Sequence, residues 1–124
     1  MQLSSIAPPA TSFQRQLGAV VTKLDHALAR EDDTVETDLT FRAIDDGVDA
    51  IKTAVREPAS RQARFQAMDA AAMLVDSRNV IASNWSLEPP HIEVGTGNIG
   101  RLGVREAVRL LNEAIASATA PDEY

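Results

Sequence analysis

Apolar side chains recur at helical spacing in four separate stretches of this chain. Phe13, Leu17, Val20, Leu24 and Leu28 step by four, three, four and four, which places them in one stripe of a helix. Thr11 and Gln14 have the spacing of a capping box, so a helix is predicted over 12–30. It stops at Arg30, where Glu31-Asp32-Asp33 opens a polar turn; those acids suit the N-terminus of the element that follows.

The second stretch changes period partway. Val35, Thr37, Leu39 and Phe41 alternate with polar residues, as a short half-buried strand does, and a minor β element pairing 35–41 with 91–94 is one expectation. From Phe41 onward, Ile44, Val48, Ile51 and Val55 step by three and four. The spacing predicts a helix over 38–56, capped by Thr37 or Asp38. Pro58 suits the first turn of a third helix, over 58–84, which contains no further proline and no glycine. Its middle, Ala67–Val75, is apolar nearly all the way round, so it is expected to sit between other elements, its alanines admitting close neighbours. Glu88-Pro89-Pro90 breaks the chain, Gly95–Gly103 reads as a flexible connector, and a last helix is expected over 103–118 on Val104, Ala107, Val108, Leu111, Ile115 and Ala118.

These elements predict an all-α, mostly antiparallel four-helix bundle with a Pro/Gly-rich connector before the last helix. Residues 1–11 read as a flexible N-terminal segment, 12–118 as one helical domain and 119–124 as an acidic tail. A length of 124 residues allows one domain, and 44% hydrophobic with 24% charged residues excludes whole-chain disorder.

Composition narrows the chemistry. Without cysteine there is no disulfide, thiolate metal site or cysteine nucleophile, and two histidines cannot build a His-rich metal centre. Neither a cofactor nor a metal is expected. A net charge of −6 argues against direct nucleic-acid binding and against an anionic membrane surface. No apolar run has the length of a signal sequence or membrane span, so the expected location is the cytoplasm. Ten arginines against two lysines follow a pattern associated with GC-rich bacterial genomes.

Motifs carry little. Gly95-x-Gly97-x-x-Gly100 has the local layout of a dinucleotide-binding turn, but no second strand or ribose-binding acid follows it. Glu88-x-x-His91 has di-iron spacing, yet two prolines forbid the helix and no second copy exists. His91-x-Glu93 lacks the cysteines of a zinc deaminase, and His26 reads as a surface residue. The stronger signal is acidic. Eight carboxylates fall between Glu31 and Asp49, and Asp32, Asp33, Asp45, Asp46 and Asp49 are the candidate residues of a patch that docks a basic protein surface. Trp85 is a candidate anchor at an interface, or a lid on the core.

The expected function is therefore a small acidic bacterial interaction module, chaperone-like, regulatory or inhibitory, that acts through helical surfaces without catalysis. A homodimer that buries part of the third helix together with the fourth is expected, because the third is apolar on more than one side and only three other helices can cover it. The alternatives are a small-ligand or nucleotide-binding enzyme subunit that uses the Gly95–Gly100 turn, and an acidic mimic of nucleic acid.

Overall fold

Helix α1 (Ser12–Leu28) begins as the Thr11–Gln14 spacing requires. The Gln14 amide donates to Thr11 Oγ1 at 3.1 Å, and the Thr11 amide donates to Gln14 Oε1 at 2.9 Å. The remaining helices of this computed structural model are α2 (Thr34–Ala54), α3 (Arg61–Ser83) and α4 (Thr96–Ser117). A small antiparallel hairpin, β1 (Trp85–Leu87) and β2 (Pro90–Ile92), lies between α3 and α4, with Trp85 opposite Ile92. The structure describes the backbone of residues 9–29, 34–83, 85–87, 90–92 and 96–120, and the side chains of 9–29, 41–82 and 102–120.

The architecture is an all-α four-helix bundle in which α1 packs on α2 and α4, and α3 on α2 and α4. Neighbours run antiparallel. At one end the Ser60 amide donates to the Ala118 carbonyl and the Ser60 hydroxyl to the Ser117 carbonyl, both at 2.8 Å, tying the start of α3 to the end of α4. Gln14 Nε2 donates to the Ile115 carbonyl at 3.0 Å, so one side chain closes the cap of α1 and fastens it to the end of α4.

The expected stripes form the core. Phe13, Leu17, Val20 and Leu24 of α1 meet Ile44, Val48 and Ile51 of α2, while Val104, Ala107, Val108 and Leu111 of α4 close the other side. Helix α3 contributes small side chains, Ala63, Ala67 and Ala70, before Leu74 and Ile81. The physical reason is proximity. A Cβ added to Gly103 would collide with Ser77 Oγ, while the Ser77 Cβ would stand 3.4 Å away, so the Ser77 hydroxyl fills the space that a side chain at 103 would need. Gly47 serves the opposite corner, where a Cβ would stand 3.2 Å from Val20 Cγ1.

Several boundaries differ from the sequence expectation. Residues 35–41 lie in α2, which starts at Thr34 rather than at 38. Acids at 36 and 38 favour a helix N-terminus, which outweighs a two-residue alternation over so short a run. The strand pairing is 85–87 with 90–92, not 35–41 with 91–94. Pro58 lies outside α3, because Ser60 takes the cap: its hydroxyl accepts from the Ala63 amide at 3.1 Å. The Gly95–Gly103 connector is helical from Thr96, so α4 is seven residues longer at its start than expected. The glycines cost helix propensity, about 1 kcal/mol each, but the close α3 contact at Gly103 needs one of them. Residues 1–8 and 121–124 lie outside the described residues.

The Ser77–Gly103 approach can be tested by a double-mutant cycle in urea. Gly103→Ala gains about 1 kcal/mol of helix propensity but loses about 1–3 kcal/mol to overpacking, a net loss. In a Ser77→Ala background the hydroxyl is gone and the next atom, the Ser77 Cβ, is 3.4 Å away. There the same Gly103→Ala substitution is expected to stabilise.

Candidate interaction surfaces

The two faces of α3 are inverted in size. Its buried face repeats Ala63, Ala67, Ala70, Leu74, Ser77 and Ile81 at steps of four and three. Half a turn round the helix, Phe65, Met68, Ala72, Val75 and Asn79 step by three and four along the opposite face, and all are exposed. Phe65 is 60% exposed, Met68 54% and Val75 42%. Three large apolar residues thus face solvent, while three alanines precede Leu74 and Ile81 on the core face. A scattered exposed apolar residue means nothing, but a contiguous stripe on one helix marks an interaction surface. Leu102, next to Gly103 on α4, is 59% exposed as well.

Sequence reasoning found α3 apolar on several sides but did not single out Phe65, Met68 or Val75. The signal was present as two interleaved helical stripes, and the packing of α3 against α2 and α4 shows which of them faces inward.

The acidic surface is weaker than its sequence. Asp45, Asp46 and Asp49 are exposed on the outer side of α2, as expected, but so are Arg42, Lys52 and Arg56. Three acids and three cations leave that stretch electrically balanced. Asp45 is also spent on the fold: its carboxylate accepts from Arg78 Nε of α3 at 2.7 Å, and the Arg78 guanidinium lies 5.1 Å from the Phe41 ring centroid. Asp32 and Asp33 lie outside the described residues, and the Trp85 side chain is not described, although its backbone is in β1. The structure therefore brings Asp45, Asp46 and Asp49 together and leaves the other candidates unplaced.

Of the nucleotide-like glycines, Gly95 lies outside the described residues. Gly97 and Gly100 are inside α4, and the preceding strand β2 pairs antiparallel in a hairpin, not within a parallel sheet. His26 is exposed. Among the described residues no group of His, Asp and Glu is placed to hold a metal ion, and no helix is long and apolar enough to cross a membrane. Ser60 and Ser77 are the buried polar residues of the described core; Ser60 is a cap and Ser77 the contact to Gly103.

On α4, Arg109 donates to Glu106 and, at 2.5 Å, to Glu113. The Arg109 hydrogen bond holds the Glu106 carboxyl below its ordinary range. A carboxyl lowered in the folded state adds stability above its unfolded pKa, and that stability is lost as pH falls through the lower folded value. A side-chain NMR titration is expected to give Glu106 a midpoint below the ordinary carboxylate range, and Arg109→Gln is expected to move it upward. An unmoved midpoint would mean that the pair does not persist in solution.

Compared with known protein families, with curated proteins and with solved structures, the chain has no match in any of the three.

Proposed function

We propose that the protein is a non-catalytic interaction module that binds other protein through exposed helix faces. The observation that carries this reading is the outward stripe of α3, where Phe65, Met68 and Val75 stand in solvent on the wall of an otherwise well-filled bundle. Exposing large apolar side chains in line costs solubility, and an interface is the usual compensation. Aromatic and methionine side chains are also the types enriched at the centres of interfaces.

The acidic residues take a second part in it. Asp46 and Asp49 lie on α2, a different wall of the bundle, and the whole chain carries −6. Charge of this kind steers encounter and sets salt dependence rather than supplying the bulk of affinity. A basic protein surface is the partner that the net charge suits, meeting Asp46 and Asp49 although the cations beside them balance that side locally, with the apolar face of α3 as a separate contact.

Affinity capture with three forms of the chain tests this assignment. Met68→Glu puts a charge in the middle of the stripe, and on an exposed helix face it is expected to change stability by no more than about 0.5 kcal/mol. A partner held through α3 is retained by the parent chain at high salt and lost with Met68→Glu. One held through α2 is lost at high salt and weakened by Asp46→Asn with Asp49→Asn. Identical capture by all three forms would overturn the proposal that either face is used.

A further inference from the structure

The outward stripe of α3 has a second regularity, in the charges beside it. With Phe65, Ala72 and Asn79 at the first position of a seven-residue repeat and Met68 and Val75 at the fourth, the stripe follows the pattern of a coiled-coil seam, about 26 Å long from Phe65 to Ala82. On one flank stand the acids Asp69 and Asp76. On the other stand Arg64, Ala71 and Arg78. A seam with acids along one flank and bases along the other is not symmetrical, and its asymmetry decides how two copies can meet.

When two such helices face each other in parallel around a two-fold axis, the acidic flank of each meets the basic flank of the other. Arg64 then lies beside Asp69 of the other copy, the offset at which interhelical ion pairs form in parallel coiled coils, and symmetry makes the pair twice. Antiparallel pairing does the opposite: the acidic flank of one copy faces the acidic flank of the other and the basic flank the basic, like against like. Asn79 favours the parallel arrangement too. A single Asn at the first repeat position specifies register, because it satisfies its amide only against its own copy at the same level.

The side chains needed are available. Asp69 is exposed and has no ion-pair partner among the described residues. Arg64 donates one N–H to the Glu57 carbonyl at 3.2 Å, and a guanidinium has four more. Arg78 is held by Asp45, so the seam does not need it.

We infer that the stripe of α3 is the seam of a homodimer, in which the α3 helices of two copies pack parallel and in register through Phe65, Met68, Ala72, Val75 and Asn79. This rests on reading the α3 face as an interaction surface and names its occupant as a second copy of the chain. The seam is short, and stable protein interfaces bury about 800 Å² per partner. Dissociation in the micromolar range follows.

The absence of cysteine makes the test clean. In a parallel, in-register seam the fourth repeat positions face their own copies, so Met68→Cys and Val75→Cys each cross-link to themselves under mild oxidation, giving a species of twice 13.3 kDa. Gln62→Cys, exposed on α3 but off the stripe, sets the rate of random encounter. The inference expects both seam variants to cross-link at least tenfold faster than that control. It further expects Arg64→Asp to weaken the dimer severalfold by sedimentation, and Arg64→Asp with Asp69→Arg to restore it. Cross-linking only in a mixture of the Met68→Cys and Val75→Cys variants would overturn the parallel arrangement while leaving α3 an interface. Control-level cross-linking, with a 13.3 kDa species at all concentrations, would overturn the second copy as occupant. The interaction-module reading would then stand or fall on whether Met68→Glu abolishes capture.

Discussion

The rest of the molecule depends on how closely α3 and α4 approach at Ser77 and Gly103. At Gly103 there is room for the Ser77 hydroxyl but not for a methyl group as well, and along the rest of its buried face α3 presents small residues, Ala63, Ala67 and Ala70, before Leu74 and Ile81. Close backbones pack well, but alanines bury little apolar area each, so most of the hydrophobic stabilisation comes from elsewhere in the core. Phe13, Leu17 and Leu24 of α1, Ile44 and Ile51 of α2 and Leu111 of α4 supply it. Leu74 and Ile81 of α3 join them, while Phe65, Met68 and Val75 stand outward.

This division gives each wall of the bundle a different character. At one end of the bundle Gln14 and Ser60 donate to the Ile115 and Ser117 carbonyls, which the end of α4 would otherwise leave without partners, and the Ser117 hydroxyl donates across to Gln66 Oε1 of α3. The α2–α3 joint uses Arg78, stacked by Phe41 and paired with Asp45, at a half-exposed position where such a pair contributes modestly. The outer side of α2 is mixed in charge and wet. Among the described residues, α3 turns a continuous apolar line to solvent, bordered by charges of opposite sign on its two sides.

Much of the bundle was legible from periodicity. The α1 stripe, the α2 stripe from Ile44 and the α4 stripe from Val104 are buried as their spacing implies, and the Thr11–Gln14 cap forms as its spacing implies. Legibility failed where local rules were outweighed by packing. Glycines at 97, 100 and 103 read as a turn, because propensity penalises them in a helix, whereas one of them is required by a neighbour distant in sequence. Pro58 and Ser60 both signal a helix start, and only tertiary hydrogen bonds to the end of α4 favour the serine. The candidate surface was half legible. Acids at 45, 46 and 49 are plain in the sequence, but their neutralisation by Arg42, Lys52, Arg56 and Arg78 requires the helix faces. The stripe of α3 required knowing which of two apolar faces is crowded.

Two methionines on α3 report on that division and its consequence together. Met68 is on the outward stripe, while Met73 is half-buried against the core. Oxidation by dilute peroxide, read at each methionine by mass spectrometry, converts exposed thioethers to sulfoxides faster than covered ones. In dilute protein, Met68 is expected to oxidise faster than Met73; as concentration rises through the micromolar range, the Met68 rate falls while the Met73 rate stays constant. A slow Met68 in dilute protein would contradict the outward placement of the large face, and a Met68 rate independent of concentration would contradict its burial against a second copy.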